Sequence, residues 1–595
     1  MKPETRRFAI LCALLLALGS FFVAGAGAQK PAAKPAQPTG SPSGEQEGFF
    51  MDTVNVNVVN VDVYVTDKST GKRVTGLTKD DFEIFENGRP IQITNFYAVE
   101  DGTPVKTPEE EEPAPQTAEA APGAPAPATV QEERAPLPED QRLRLVVYID
   151  NFNLRPFNRN RVMRELRAFI GTHLHKGDEM MLVTYDRELH VRRAFTSDPS
   201  LIAAALLELE KVSAQAVHQD SDRRDVMRRI EDSQSATEAE GYARNYAQSV
   251  FNDLSFSIDA LKEITNALAG MPGRKAIFYV SDGIPMISGH DVFYAVQNKY
   301  GERSVSMTEA FTYDASRRLQ ELTAQANANR ITFYTIEATG LRVYDSNSAE
   351  NQGPGPSAPG LSTLIDSVRI SNLQSPLQLL AERTGGMAVL NANKVTPYLE
   401  RIADDFGSYY SLGYTPPHYG DGRFYKIEVK VKKKGLVVRH REGYRDKSTE
   451  ARMSDSTLAA LNFPYEDNPL GVSLEFGPPQ ARQDGFYVMP LLVRIPLGKL
   501  VLVPREQTHE AKVRVFVAAM DSSGNTSEVQ QAPVPISIPN ADVTTATGKD
   551  YIYSISLLMR PGEQRVAIGV RDDVASQASF LSRGIRVGGG PRPAR

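Results

Sequence analysis

The stretch that most constrains the fold is Leu143-Arg144-Leu145-Val146-Val147-Tyr148-Ile149, an apolar run closed by Asp150 and followed by Asn151-Phe152-Asn153-Leu154-Arg155-Pro156. A run of this length with so little polar alternation suits a strand covered on both faces, as in the middle of a parallel sheet. In such sheets ligands collect beyond the carboxyl ends of the strands, which is where Asp150 stands. A second run, Lys275-Ala276-Ile277-Phe278-Tyr279-Val280-Ser281, ends the same way at Asp282-Gly283. Two strand-terminal carboxylates are therefore the main pointer to function.

Around these runs, residues 142–411 alternate between strand and helix patterns. Val162, Leu166, Phe169 and Ile170 fall at helical spacing from a start near residues 158–160. Further strands are expected at 180–185, 331–336 and 387–390, with helices at 201–209, 251–268, 373–383 and 395–406. The helix at 251–268 meets a stop signal in Gly270-Met271-Pro272-Gly273. Such alternation predicts βα units building a parallel sheet with helices on both sides. Two segments break the rhythm. Residues 213–250 are charged and poor in apolar groups, which predicts an exposed helical insertion. Residues 346–360 form a Pro-, Gly- and Ser-rich loop.

At 595 residues the chain exceeds one core and should divide into roughly three or four domains. Residues 1–28 read as a secretory signal peptide: Lys2, Arg6 and Arg7, an apolar stretch, then Ala24-Gly25-Ala26-Gly27-Ala28. Cleavage there removes Cys12, the single cysteine, so the mature chain has no thiol and no disulfide scaffold. No later stretch is apolar enough to span a bilayer, and the expected location is secreted or periplasmic. Residues 29–50 are a linker of Pro, Ala, Gly, Ser and Gln. A small β domain is expected at 51–100, with Val59, Val61, Val63 and Val65 on one face, a capped turn at Thr78 and a hairpin at Asn87-Gly88. Residues 101–140 form an acidic Pro/Ala-rich linker. The α/β domain covers 141–445 and ends in a β hairpin at about 409–445, where Lys432, Lys433, Lys434, Arg439 and Arg441 suit a solvated edge. Residues 451–588 read as all β, a β-sandwich. A net charge of -6 over this length argues against a nucleic-acid partner.

The common catalytic signatures are missing: no Gly-x-Ser-x-Gly elbow, no phosphate-binding loop, no His-Glu-x-x-His. The chemistry on offer is oxygen ligation. Asp150 and Asp282, with Asn153 and Ser281 as further oxygen donors, suit Mg²⁺ or another hard divalent cation. The competing reading is that both aspartates cap the turns that follow them.

Taken together, these residues resemble a von Willebrand factor type A (VWA) domain. The resemblance rests on the strand into Asp150, on Gly273-Arg274-Lys275-Ala276 leading to Val280-Ser281-Asp282-Gly283, and on Leu379-Leu380-Ala381-Glu382-Arg383-Thr384-Gly385-Gly386. More narrowly, the chain is similar to the bacterial exported VWFA-related proteins through Gly76-Leu77-Thr78-Lys79-Asp80-Asp81-Phe82 and Tyr410-Ser411-Leu412-Gly413-Tyr414. The resemblance implies a Rossmann-like, doubly wound α/β sheet, with the strands into Asp150 and Asp282 side by side. It also implies a metal held by an Asp-x-Ser-x-Ser motif, a Thr and a later Asp. Here the serine positions are Phe152 and Leu154, so the adhesion motif is degenerate and apolar groups stand at its rim.

The function expected is a non-enzymatic protein-binding or scaffolding component of the cell envelope. Its partner face would comprise Asp150, Asn151, Phe152, Asn153, Leu154, Arg155, Asp282 and Gly283, with Asp150, Asp282 and Asn153 as the metal candidates. The alternatives are a metal-dependent hydrolase or transferase using the same carboxylates, and a purely architectural protein.

Overall fold

The computed structural model describes residues 58–105, 142–173, 177–214, 216–301, 306–342, 359–463, 465 and 467–588. The expected signal peptide, the first linker, and nearly all of the second linker and of the 346–360 loop lie outside them. The described residues form a mixed α/β structure with several sheets and fall into two compact units, one within 57–455 and one within 456–595.

The larger unit is built on a six-stranded sheet in the order Ala388–Val389, Ile331–Glu337, Arg274–Ser281, Leu143–Ile149, Glu179–Tyr185, Leu189–Thr196. Neighbours pair in parallel except the last, antiparallel edge strand. Every residue of Leu143–Ile149 and Arg274–Ser281 is buried, which explains their unbroken apolar pattern. Leu145, Val147, Ile149, Phe278 and Val280 face helices Pro156–His173, Pro199–Leu209 and Thr396–Gly407 across one core. On the opposite face the Thr335 hydroxyl donates to Leu377 O of helix Pro359–Arg383. That helix ends at Thr384-Gly385-Gly386, where a Cβ on Gly386 would stand 1.9 Å from Phe333 O. The backbone therefore passes the strand at a distance only glycine allows.

The expected insertion at 213–250 is helical but not an isolated excursion. Helix Ala216–Asp232 is followed by a single 32-residue helix, Ala236–Ala267, which absorbs the helix expected at 251–268. Ile230, Ala239, Ala243 and Ala247 pack against Val292, Phe293, Val296 and Tyr313. Arg223, one of its many charges, is buried against Asp291 at 2.5 Å.

The N-terminal β unit and the 409–445 segment, which the sequence pattern keeps apart, are one β structure. Strand Val59–Asp67 lies between Tyr409–Tyr414 and Leu436–His440, while Phe82–Glu86 pairs with Phe424–Val431. The two sheets share one core of Val59, Val61, Val63, Val65, Ile84, Leu412 and Ile427. Local expectations hold here. Asn87 and Gly88 take φ of 48° and 78° in the hairpin turn, and Thr78 N donates to Asp81 at 2.9 Å in the capped turn. The basic residues divide. Lys432 to Lys434 stay exposed, whereas Arg439 turns inward onto Asp405 at 2.7 Å and Arg441 reaches Asn60 O. In the smaller unit two antiparallel sheets, centred on Tyr487–Pro496 and Thr508–Asp521, share a second apolar core.

Lys275 is buried in the central strand, and its Nζ donates to Met271 O at 2.7 Å. Burial, then the neighbouring cations Arg330, Arg144, Lys447 and Arg441, push its pKa well below the ordinary value. The unfolded chain holds this proton more tightly, so the Lys275 contribution to stability is lowest below the depressed folded value and rises with pH until the unfolded value is reached. Lys275→Met should therefore stabilise the chain at pH 7 by about 1 kcal/mol, with the gain shrinking toward about pH 10; urea midpoints at the two pH values check this. Gly386→Ala should cost about 3 kcal/mol in the same assay.

Candidate functional site

The loop after Leu143–Ile149 is pinned between its neighbours: Asp150 N donates to Val280 O at 3.0 Å and Phe152 N to Tyr185 O at 3.0 Å. This fixes Asp150 above the adjacent strand and turns its side chain back toward that strand. One carboxylate oxygen accepts from the Tyr279 hydroxyl at 2.6 Å, the Ser281 hydroxyl at 3.1 Å and Asn153 Nδ2 at 2.9 Å. The other accepts from Asn153 N at 3.2 Å. Asp282 accepts from Arg155 N at 3.0 Å and, on both oxygens, from Asn158 Nδ2 at 3.1 and 3.0 Å. Burial pushes both carboxyl pKa values up against the pull of these donors. The sequence brings Asp150, Asn153, Arg155 and Asp282 together as expected, and Asp282 N closes the ring by donating to Asn153 O at 3.3 Å.

The expected apolar rim is reduced to the edge of the Phe152 ring, which lines the cleft above the strand ends. Phe152 is 4% and Leu154 0% exposed. Leu154 belongs to the core beneath the sheet, and Phe152 meets Tyr185 edge-on under the Arg187 guanidinium. Asn151 is also buried, donating to Ser213 O and accepting from the buried Arg159. Gly283 holds φ 112°, and a Cβ there would lie 2.9 Å from Leu373 O.

The residues do not fit a resident Mg²⁺. That ion demands a near-octahedral set of oxygens, yet Phe152 and Leu154 supply none and every carboxylate oxygen of Asp150 and Asp282 already accepts a hydrogen bond. Asn153 Oδ1, the remaining candidate, accepts from Gln219 Nε2 at 3.3 Å. The geometry matches the capping reading.

Above the strand ends lies a cleft of about 420 Å³. Its floor is Asn153, Arg155, Asp282 and Gly283, and its walls are the two insertion helices and helix Pro359–Arg383. Asp220 ties the walls to the floor, pairing with Arg155 at 2.6 Å and Arg369 at 3.0 Å. Arg342 pairs with the fully buried Glu337 at 2.7 Å and also donates to Asp282 O. Tyr279, Asn158, Asp220 and Arg342 carry no motif that marks them as site residues in the sequence. Only Tyr279, two residues before Ser281 in an evident strand, has a positional signal.

Two exposed apolar residues flank this site. Phe157, at the start of helix Pro156–His173, is 77% exposed, and Leu341, beyond the Ile331–Glu337 strand, is 63% exposed. Arg161, one turn on from Phe157, donates to Ala338 O and lies against Gly340, so the two loops are neighbours.

No family model matches the sequence, and no curated protein matches it. Solved structures to which the chain is similar include BatB from Bacteroides thetaiotaomicron, 13% identical over 44% of this chain and 96% of that one, with a TM-score of 0.23. An aerotolerance-related membrane protein from Bacteroides fragilis is 10% identical, over 44% and 98%, at 0.20. A von Willebrand factor type A protein from Catenulispora acidiphila is 10% identical, over 75% and 66%, at 0.19.

Removing the Asp150 carboxylate strands the donors of Tyr279, Ser281 and Asn153 in a buried place. Asp150→Ala should therefore cost about 3 kcal/mol or more in chemical denaturation. Millimolar Mg²⁺ should leave the wild-type Tm unchanged; a saturable rise that Asp150→Ala abolishes would contradict the capping role.

Proposed function

We propose that the chain is an exported VWA-type protein of the cell envelope, delivered to the periplasm or beyond by its N-terminal signal peptide. In this reading its doubly wound α/β domain, with a degenerate adhesion motif, binds a protein partner and carries out no catalysis. The observation that carries the reading is the pair Phe157 and Leu341, large apolar side chains left exposed beside a strand-end face whose carboxylates are closed by hydrogen bonds. Among the described residues no helix is long and apolar enough to cross a membrane.

The binding face is accordingly moved outward from the residues first expected. Asp150, Asn151, Phe152 and Leu154 support it from below, and Asn153 and Arg155 remain partly accessible at the cleft floor. Hydrolase or transferase chemistry would need a carboxylate free to act on a substrate, and the donors around Asp150 and Asp282 count against it.

Capture from envelope extracts on the immobilised full chain, followed by titration of the captured protein, tests this. The double variant Phe157→Asp, Leu341→Asp should keep its Tm and lose about 2 kcal/mol or more of partner affinity, more than tenfold in Kd. Equal affinity of variant and wild type would sink the proposal, as would turnover by the wild type in a broad hydrolase panel.

A further inference from the structure

Away from the strand-end cleft, the β unit holds a second cluster of chemistry. Glu86, the buried last residue of Phe82–Glu86, accepts on one oxygen from the hydroxyls of Tyr414 and Tyr444, each at 2.8 Å. Its other oxygen faces His418 Nε2 at 3.0 Å. The second ring nitrogen, Nδ1, faces Asp446 Oδ2 at 2.9 Å, and Asp446 is fully buried. Tyr425 stacks on the imidazole at 3.6 Å and 11°, locking the ring plane. Asp421 completes the group on the outer side: ligand atoms of His418, Asp421 and Asp446 all lie within 4.8 Å of one another. Its oxygens accept from the Tyr425 hydroxyl at 2.5 Å and Arg423 N at 2.9 Å, but these donors stand at the surface and can turn to water, unlike the buried donors around Asp150.

Glu86 is placed where a carboxylate orients a metal-binding histidine. In the tautomer that donates Nε2–H to Glu86, the Nδ1 lone pair is directed at Asp446. In that tautomer the lone pair and the carboxylate oxygen, 2.9 Å apart, face a shared positive centre, either a proton added on Nδ1 or a cation held by both. Metal bonds of roughly 2.0–2.2 Å at angles between square and tetrahedral set ligand atoms about 3 Å apart, the spacing of His418 Nδ1 and the Asp446 oxygen. One imidazole nitrogen with two carboxylates is a borderline donor set, suited to zinc-class ions rather than to Mg²⁺ or Ca²⁺.

We propose that His418 Nδ1, Asp446 and Asp421 bind one divalent transition ion of the zinc class, with Glu86 as the carboxylate that orients the histidine and water in the remaining position. The ion would clamp the loop carrying His418 and Asp421 onto the strand end at Glu86, joining the N-terminal and C-terminal halves of the β unit. This site is independent of the partner face.

Untagged full-length chain, stripped with chelator, is titrated with Zn²⁺ alone by calorimetry at pH 7.5, with metal content and Tm measured in parallel. One saturable equivalent and a raised Tm are expected, both lost in His418→Gln. Asp421 lies on an exposed loop, so Asp421→Asn should keep the metal-free Tm while weakening Zn²⁺ affinity at least tenfold. Nitrogen NMR of the histidines should show Nδ1 of His418 change from protonated to metal-bound on addition of one equivalent. Absence of saturable binding, binding indifferent to both substitutions, or a His418 ring that stays doubly protonated in excess Zn²⁺ would overturn the proposal and leave an imidazolium held between two carboxylates.

Discussion

The larger unit depends on one buried cation. Arg274 opens the central strand that later delivers Asp282, and its guanidinium lies inside the protein, 3.7 Å from the centre of the Tyr409 ring. It donates to the Tyr64 hydroxyl at 3.0 Å, to Asp405 O at 3.1 Å and to Phe406 O at 3.1 Å, with Asp62 at 3.6 Å. Tyr64 and Tyr409 come from the β unit; Asp405 and Phe406 end a helix of the α/β core. A guanidinium in such a place needs all its donors met, because an unmet buried charge costs several kcal/mol. The surroundings meet them from both parts at once, so the β unit is held to the base of the sheet by a contact that neither part could satisfy alone.

At the opposite end of the same strand the logic is reversed: there the buried charges are negative and the protein surrounds them with donors. Tyr279, Ser281, Asn153 and Asn158 occupy directions from which a cation would otherwise approach Asp150 and Asp282. The strand-end loops are thus made rigid without an ion. Arg155, Asp220 and Arg369 extend that rigidity into the insertion helices, giving the cleft walls a fixed position over the sheet.

Much of this is legible in the sequence because it is local. Continuous apolar runs ending in Asp mark the two central strands, and Thr78 and Asn87-Gly88 mark a cap and a hairpin whose geometry depends on a few adjacent residues. What escapes the sequence is non-local or turns on direction. Phe152 and Leu154 occupy alternate loop positions that suggest a rim, but the backbone bonds to Val280 and Tyr185 turn both inward. Residues 213–250 look solvated because much of their buried side is alanine at helical spacing, Ala239, Ala243 and Ala247, which adds little to an apolar count. Arg223, Arg439 and Arg441 look like surface charges, although partners distant in sequence draw them inside. No periodicity announces that residues 58–105 pair with 409–445.

That last pairing governs the order in which the chain can assemble. Strand Val59–Asp67 is flanked on both sides by strands from the far end of the unit, and the Leu77 amide bonds a tyrosine 333 residues away, Tyr410. Contacts of such separation form late, since the entropy of closing so large a loop is lost before they give anything back. A chain made from its N-terminus presents this valine-rich strand early and its partners only after the whole six-stranded sheet. In the interval its backbone edges are open and its apolar face uncovered, the condition in which strands pair with the wrong neighbours. The interval before those partners arrive, more than the energy of the finished fold, is therefore where this architecture is most exposed to failure.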